Sequence, residues 1–190
     1  MNRLSRYTFS VVVIAVAVAI PVHAAPFSMF PKAERLISPD GRFEVRDVTP
    51  QSSAGELVGA PHSLWLTELS TGRSRKLCDY LGLAAVAWSS NDFLVITQYP
   101  GRKTSRALVF AAASSEEPAL LDAPGLIQML PVELRPTLRE NDHLFVEASR
   151  LEREIFFFRV WGYGKHDPNG FHWNCQYLLT DGHVSCTPAG

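Results

Sequence analysis

The densest group of side chains able to do chemistry lies near the C-terminus: Lys165-His166-Asp167, then His172-Trp173-Asn174-Cys175, then His183. Three histidines, an aspartate and a cysteine form a ligand set of borderline softness, suited to a metal ion such as zinc. The spacing His-x5-His-x2-Cys matches no strong zinc pattern. The competing reading is a polar loop over residues 164–170 that joins two strands, with Cys175 taken up in a disulfide. It outweighs the metal reading, so no cofactor is expected, and His166, His172 and His183 stand only as metal candidates. A serine nucleophile would need a base and an orienting group within reach. Serines are plentiful, but no Gly-x-Ser-x-Gly elbow occurs. Glu116-Glu117 and the pair Glu152 and Glu154 lie in charged turns, where solvent leaves carboxylates untuned. No glycine-rich phosphate loop is present. No residue is assigned a catalytic role, and the chain reads as a non-enzyme.

Aromatic residues are concentrated in the same region. Phe156, Phe157, Phe158, Trp161, Tyr163, Phe171, Trp173 and Tyr177 fall within 22 residues. Successive side chains of a strand point to opposite faces. Phe156 to Phe158 therefore reads first as a central strand buried on both sides. The functional account is an exposed aromatic patch that anchors a partner, because Trp and Tyr are favoured at binding hot spots. On that account Trp161, Tyr163, Phe171 and Trp173 are the binding candidates. The two tryptophans flank a loop at residues 162–170.

Cysteine pairing follows from turn chemistry. Cys175 and Cys186 flank Thr180-Asp181-Gly182, a turn signal, and their separation brings them within about one residue of facing each other across a hairpin. In an oxidising compartment two of the three cysteines should pair. These two are the expected bridge, with Cys78 left as a small buried apolar residue. A bridge from Cys78 to the C-terminal hairpin is the alternative.

The elements that must carry these residues are mostly strands. Residues 25–36 read as an irregular arm or a first edge strand. Pro39-Asp40-Gly41 is a tight turn, with proline presetting φ and glycine supplying φ > 0. Phe43 and Val45 then alternate with Arg42, Glu44 and Arg46, the pattern of a half-buried strand. Residues 49–62 read as a loop. Further strands are expected over 63–69, 73–77, 84–88, 93–99, 105–112, 143–148, 155–161, 173–179 and 183–186. Turn signals recur at Asp40, Asn91 and Asn141, 51 and 50 residues apart, a period of the kind that blade-like or meander repeats show. Residues 126–134 hold the one short helix the pattern allows.

At the N-terminus, Arg3 and Arg6 precede a twelve-residue apolar run over residues 9–20. Pro21 follows, and then Val22-His23-Ala24. This is the grammar of a secretory signal cleaved near Ala24, and the run is too short to span a bilayer, which needs roughly 20 apolar residues. Residues 25–190 then form a single exported β-rich domain, periplasmic or secreted, with no membrane span after cleavage. The full chain has 18 Lys and Arg against 19 Asp and Glu. No basic excess exists to neutralise phosphates, so nucleic acid is not an expected partner.

Ser38-Pro39-Asp40-Gly41-Arg42-Phe43, with residues 63–72 (Ser-Leu-Trp-Leu-Thr-Glu-Leu-Ser-Thr-Gly) and then Arg75-Lys76-Leu77, resembles one blade of the WD40-like propeller repeat of TolB-type proteins. The resemblance covers residues 37–77 and, more loosely, 86–121. It implies β-meander units and protein binding rather than catalysis. Three units fall short of the four blades a closed propeller usually needs. The expected fold is thus mainly β: three antiparallel, blade-like meanders in an open array or sandwich, with at most one short helix. The expected role is an exported, non-catalytic binding or inhibitory module for a protein partner. The alternatives are a metal- or small-ligand-binding protein using the histidine region and a structural subunit of an envelope assembly.

Overall fold

The computed structural model describes residues 25–48, 62–90, 92–100 and 103–189. The proposed signal at 1–24 and most of the expected 49–62 loop lie outside the described residues. So do Asn91 and the Gly101-Arg102 part of the turn after Pro100. An arm opens the described chain with β1 (Ser28–Phe30). The first sheet follows as β2 (Arg35–Ile37), β3 (Phe43–Val48), β4 (His62–Glu68) and β5 (Ser74–Tyr80). The middle sheet is β6 (Ala84–Trp88), β7 (Phe93–Gln98), β8 (Arg106–Ala111) and β9 (Ala119–Leu121). Two short helices, α1 (Ala123–Met129) and α2 (Arg135–Glu140), precede the third sheet. That sheet is β10 (His143–Glu152), β11 (Ile155–Tyr163), β12 (Phe171–Leu178) and β13 (Val184–Pro188). Each sheet is a run of four sequence-consecutive antiparallel strands, and β1 joins the middle sheet beside β6. The protein is mainly β, as its alternation patterns require.

The hairpin turns show why the strands start where they do. Ser38 Oγ donates to Asp40 at 2.6 Å and accepts from the Phe43 amide at 2.9 Å. Gly41 takes a φ of 74° there, a region closed to most side chains. Arg42 pairs with Asp40 and reaches across to Asp92 in the β6–β7 turn, linking the first turns of two sheets. Those two turns keep the 51-residue spacing. Asn141 does not begin a third such turn, because it ends α2. The first hairpin of the third sheet turns at Arg153, with a φ of 49°. The helical segment displaces the repeat. It also carries two helices rather than one. Asp122 caps α1 by accepting from the Gly125 amide at 2.9 Å, and Pro131, which cannot donate to a continuing helix, separates α1 from a 3-10 turn that leads into α2.

The middle sheet is packed on both faces. Phe43, Val45, Leu64 and Leu66 of the first sheet meet Ala84, Val86, Trp88, Leu94, Ile96 and Leu108 on one side. On the other, Ala87, Val95, Ala107 and Val109 meet Leu144, Val146, Phe156, Phe158 and Val160 of the third sheet, closed by Leu126, Leu130 and Leu138 of the helices. This explains the unbroken apolar run Phe93-Leu94-Val95-Ile96, since a strand buried on both sides has no face left to be polar. The first and third sheets each cover the middle sheet with one face. The third sheet is further tied to the middle one by Ser105, 2% exposed, whose hydroxyl donates to the Val146 carbonyl at 2.9 Å and accepts from the Val146 amide at 2.7 Å.

Candidate functional site

The register of the third sheet sorts the aromatic residues into two sets. Along β11, Phe156, Phe158 and Val160 are buried, while Phe157 and Trp161 are half-buried and Arg159 and Tyr163 exposed. This corrects the expectation of a strand buried on both sides: β11 is buried on one face, and β7 is the strand enclosed on two. Along β12 the same alternation buries Phe171, Trp173, Cys175 and Tyr177 and exposes His172, Asn174 and Gln176. Phe171 and Trp173 are therefore core residues and do not reach the outward face. Gly162 serves this packing, because a Cβ there would clash with the His143 carbonyl and crowd the Phe171 ring.

What remains outward is a ladder of cross-strand pairs. His143 opposes Tyr163, and Phe145 opposes Trp161, each stacked with ring centroids 4.2 Å apart. His172 adds a third ring beside Trp161 at 6.1 Å. Next along the strands, Arg159 bonds Glu147 at 2.9 Å. Arg150 then lies over the Phe157 ring at 3.8 Å and bonds Glu152 at 2.7 Å. Directly opposed side chains on one sheet face are close enough to interact in this way. Stacked rings, a guanidinium over a ring and two ion pairs thus share one outward face, with ring edges reaching solvent. Of the four binding candidates, Trp161 and Tyr163 stand here. The sequence reading missed His143, Phe145, Phe157 and Arg159. The signal was the alternation His143-x-Phe145-x-Glu147 set against Phe157-x-Arg159-x-Trp161-x-Tyr163.

The histidines do not assemble. His166 bonds Asp167 at 2.9 Å in the β11–β12 loop. His172 is the second residue of β12, at one end of the last hairpin, and His183 lies in the turn at the other. Among the described residues no three His, Cys, Asp or Glu groups converge on a point that could hold a metal ion. Asp167 has a structural partner, since Asn141 Nδ2 donates to it at 2.8 Å and the Asp167 amide donates back to Asn141 Oδ1 at 3.1 Å. Burial works against its charge, but the hydrogen bonds from Asn141 and His166 prevail and hold its pKa below the usual carboxylate value. Cys175 and Cys186 sit directly opposite each other and are disulfide-bonded. Cys78, on β5 and half-buried, is free, and burial pushes its thiol up to about 12.

Two cavities flank the middle sheet. One, of about 260 Å³, lies between the first and middle sheets and is lined in part by Arg42, Arg73, Arg75 and Glu68. The other, of about 490 Å³, lies where the N-terminal arm passes between the middle and third sheets. No helix among the described residues is long and apolar enough to cross a membrane. No family model, curated protein or solved structure matches the chain.

Proposed function

We propose that this chain is an exported, non-catalytic binding module that engages a protein partner through the outward face of β10, β11 and β12. The observation that carries this reading is the ladder His143–Tyr163, Phe145–Trp161–His172, Glu147–Arg159 and Arg150–Phe157. It places aromatic and arginine side chains, the types enriched at protein interfaces, side by side on one rigid surface. Rings held by their cross-strand partners lose little further freedom on binding, which favours affinity. Export and an oxidising compartment are supported by the signal-like residues 1–24 and by the Cys175–Cys186 disulfide. Kinship with the blade-like repeats of TolB-type proteins belongs to the same reading and rests on the turn and strand pattern of residues 37–77. The acid-leaning charge balance argues against nucleic acid as the partner.

The test is photo-crosslinking in cells that export the protein, with benzoylphenylalanine placed at Tyr163 or, on the outward face of the first sheet, at Thr67. The expected result is an adduct of defined mass from position 163, absent from position 67, and lost when Phe145→Ala and Trp161→Ala are combined. An adduct with a second copy of the chain would replace this reading with that of a self-assembling structural subunit. Absence of any adduct at 163, or equal adducts at both positions, would refute it.

A further inference from the structure

The smaller cavity, between the first and middle sheets, departs from the rule that inward side chains are apolar. Side chains alternate along a strand, so the inward residues of β4 are Leu64, Leu66 and then Glu68. The register sets Phe43 opposite Glu68, Val45 opposite Leu66, and Leu66 opposite Arg75. The Glu68 amide donates to the Arg73 carbonyl at 2.9 Å, which places Arg73 opposite it. The inward face of the first sheet thus begins with Val45, Leu64 and Leu66 and ends with Glu68, Arg73 and Arg75. Across the gap stand Phe110 and Ala112 of the middle sheet. Charge at this end keeps the two sheets from closing on each other, and a half-open cleft of about 260 Å³ remains.

Arg75 stands out among the walls. It is half-buried, with its guanidinium carbon 5.8 Å from the centre of the Phe110 ring. Its one hydrogen bond runs to the Ala112 carbonyl at 3.4 Å, long for such a contact. Among the described residues neither Arg75 nor Arg73 is in an ion pair. Arg42, the third arginine of the walls, is already engaged by Asp40 and Asp92. Glu68 accepts from the Ser70 and Thr71 hydroxyls and pairs with no arginine. Burial works against the Arg75 charge and lowers its pKa. A partly desolvated cation without a counter-ion is destabilising. Two open arginines against one glutamate leave a single positive charge on the walls, which suits a monoanion. A guanidinium presents a planar fork of donors that matches a carboxylate. Phe43, Leu66, Ala112 and Ala113 line the cleft beside these charges and leave room for a short carbon body.

We propose that this cleft binds a small monocarboxylate, its carboxylate held by Arg73 and Arg75 and its apolar body set against Phe43, Leu66 and Ala112. The ligand supplies the counter-charge that the fold itself omits. The cleft and the aromatic ladder lie on opposite sides of the middle sheet, so this site stands or falls independently of the ladder.

The experiment is calorimetric titration of the full chain with benzoate, with its neutral isostere benzamide and with inorganic phosphate. Benzoate is expected to bind one site and to raise the melting temperature. Benzamide should bind at least about tenfold more weakly, the scale of one charge-assisted hydrogen bond, and phosphate should not displace benzoate. Arg73→Gln and Arg75→Gln should each lower benzoate affinity about tenfold or more. Lys76→Gln, which removes a cation from the outward face of the same strand, should leave it unchanged. Arg73 is exposed, so its variant tests the site whatever Arg75→Gln does to the packing on Phe110. Equal affinity for benzoate and benzamide would overturn the proposal, as would displacement of benzoate by phosphate. So would failure of the parent to bind benzoate at millimolar concentration, or binding that survives both arginine substitutions. An Arg75 that serves only the packing on Phe110 would give that last result, with a lowered melting temperature and no change in binding.

Discussion

Glu44 and Trp161 hold corresponding places. Each lies on the second strand of its meander and points away from the middle sheet. Around Glu44 the outward face of the first sheet is closed by polar pairs. Glu44 itself, 4% exposed, bonds Arg46 at 2.7 Å and lies 3.8 Å from Arg35. Asp79 accepts from Lys76 and Ser63, and Thr67 meets Ser74 at 2.8 Å. Around Trp161 the third sheet is finished with rings. Ion pairs and hydroxyl pairs consume the groups that make them, and the apolar groups beside them on this face, Ile37 and Trp65, stand apart from each other with no ring stacked on them. Stacked rings leave apolar edges exposed and still stabilise the sheet beneath. The two faces therefore differ in what they leave unspent, which is why the binding proposal is placed on the third.

The comparison is broken or sharpened first at the inward face of the third sheet. Phe158→Ala should cost about 3–5 kcal/mol in urea unfolding, while Trp161→Ala, on the opposite face of the same strand, should cost about 1 kcal/mol, the scale of one aromatic pair. Equal losses would mean that the outward row is core rather than surface. Next comes the covalent difference between the sheets. Cys175→Ala should cost about 2–4 kcal/mol and lower the melting temperature, whereas Cys78→Ala, on the inward side of the first sheet, should change it far less. Smaller still is Glu44→Gln, expected to cost about 1 kcal/mol or less, an effect that shrinks in high salt because both arginines are solvent-exposed. A loss that ignores salt would show that the pairs on this face are not electrostatic. Last is the Cys78 thiol. Burial raises its pKa to about 12 in the folded protein, so its contribution to stability is complete below its unfolded value near 9 and is lost as pH rises from there through about 12. Iodoacetamide at pH 8 should modify native Cys78 at least about tenfold more slowly than the unfolded chain, because the thiolate is the reactive form.

Alternation, turn residues and cysteine spacing were enough to read the longer strands of the three meanders, the Thr180-Asp181-Gly182 hairpin and the Cys175–Cys186 pair. These are local matters: a two-residue period decides that Phe156 and Phe157 point opposite ways, and a glycine at φ 73° decides where the last hairpin turns. Two three-residue strands, β2 and β9, were too short for their period to show. The split of the helical segment at Pro131 was within reach, but its displacement of the third unit was not, because a turn signal at Asn141 looks the same before a strand as inside a hairpin. The sign of each face was also hidden. Periodicity says that Trp161 and Trp173 lie on strands with two unlike sides, but not which side meets the middle sheet. That choice, which makes Trp173 core and leaves Trp161 outward, belongs to packing between residues distant in sequence, where Val95 and Val109 meet Phe158 and Val160. The larger cleft has the same origin: two alanines, Ala85 and Ala148, and a bulge in β10 look unremarkable along the chain and leave space only when β6 and β10 are brought face to face.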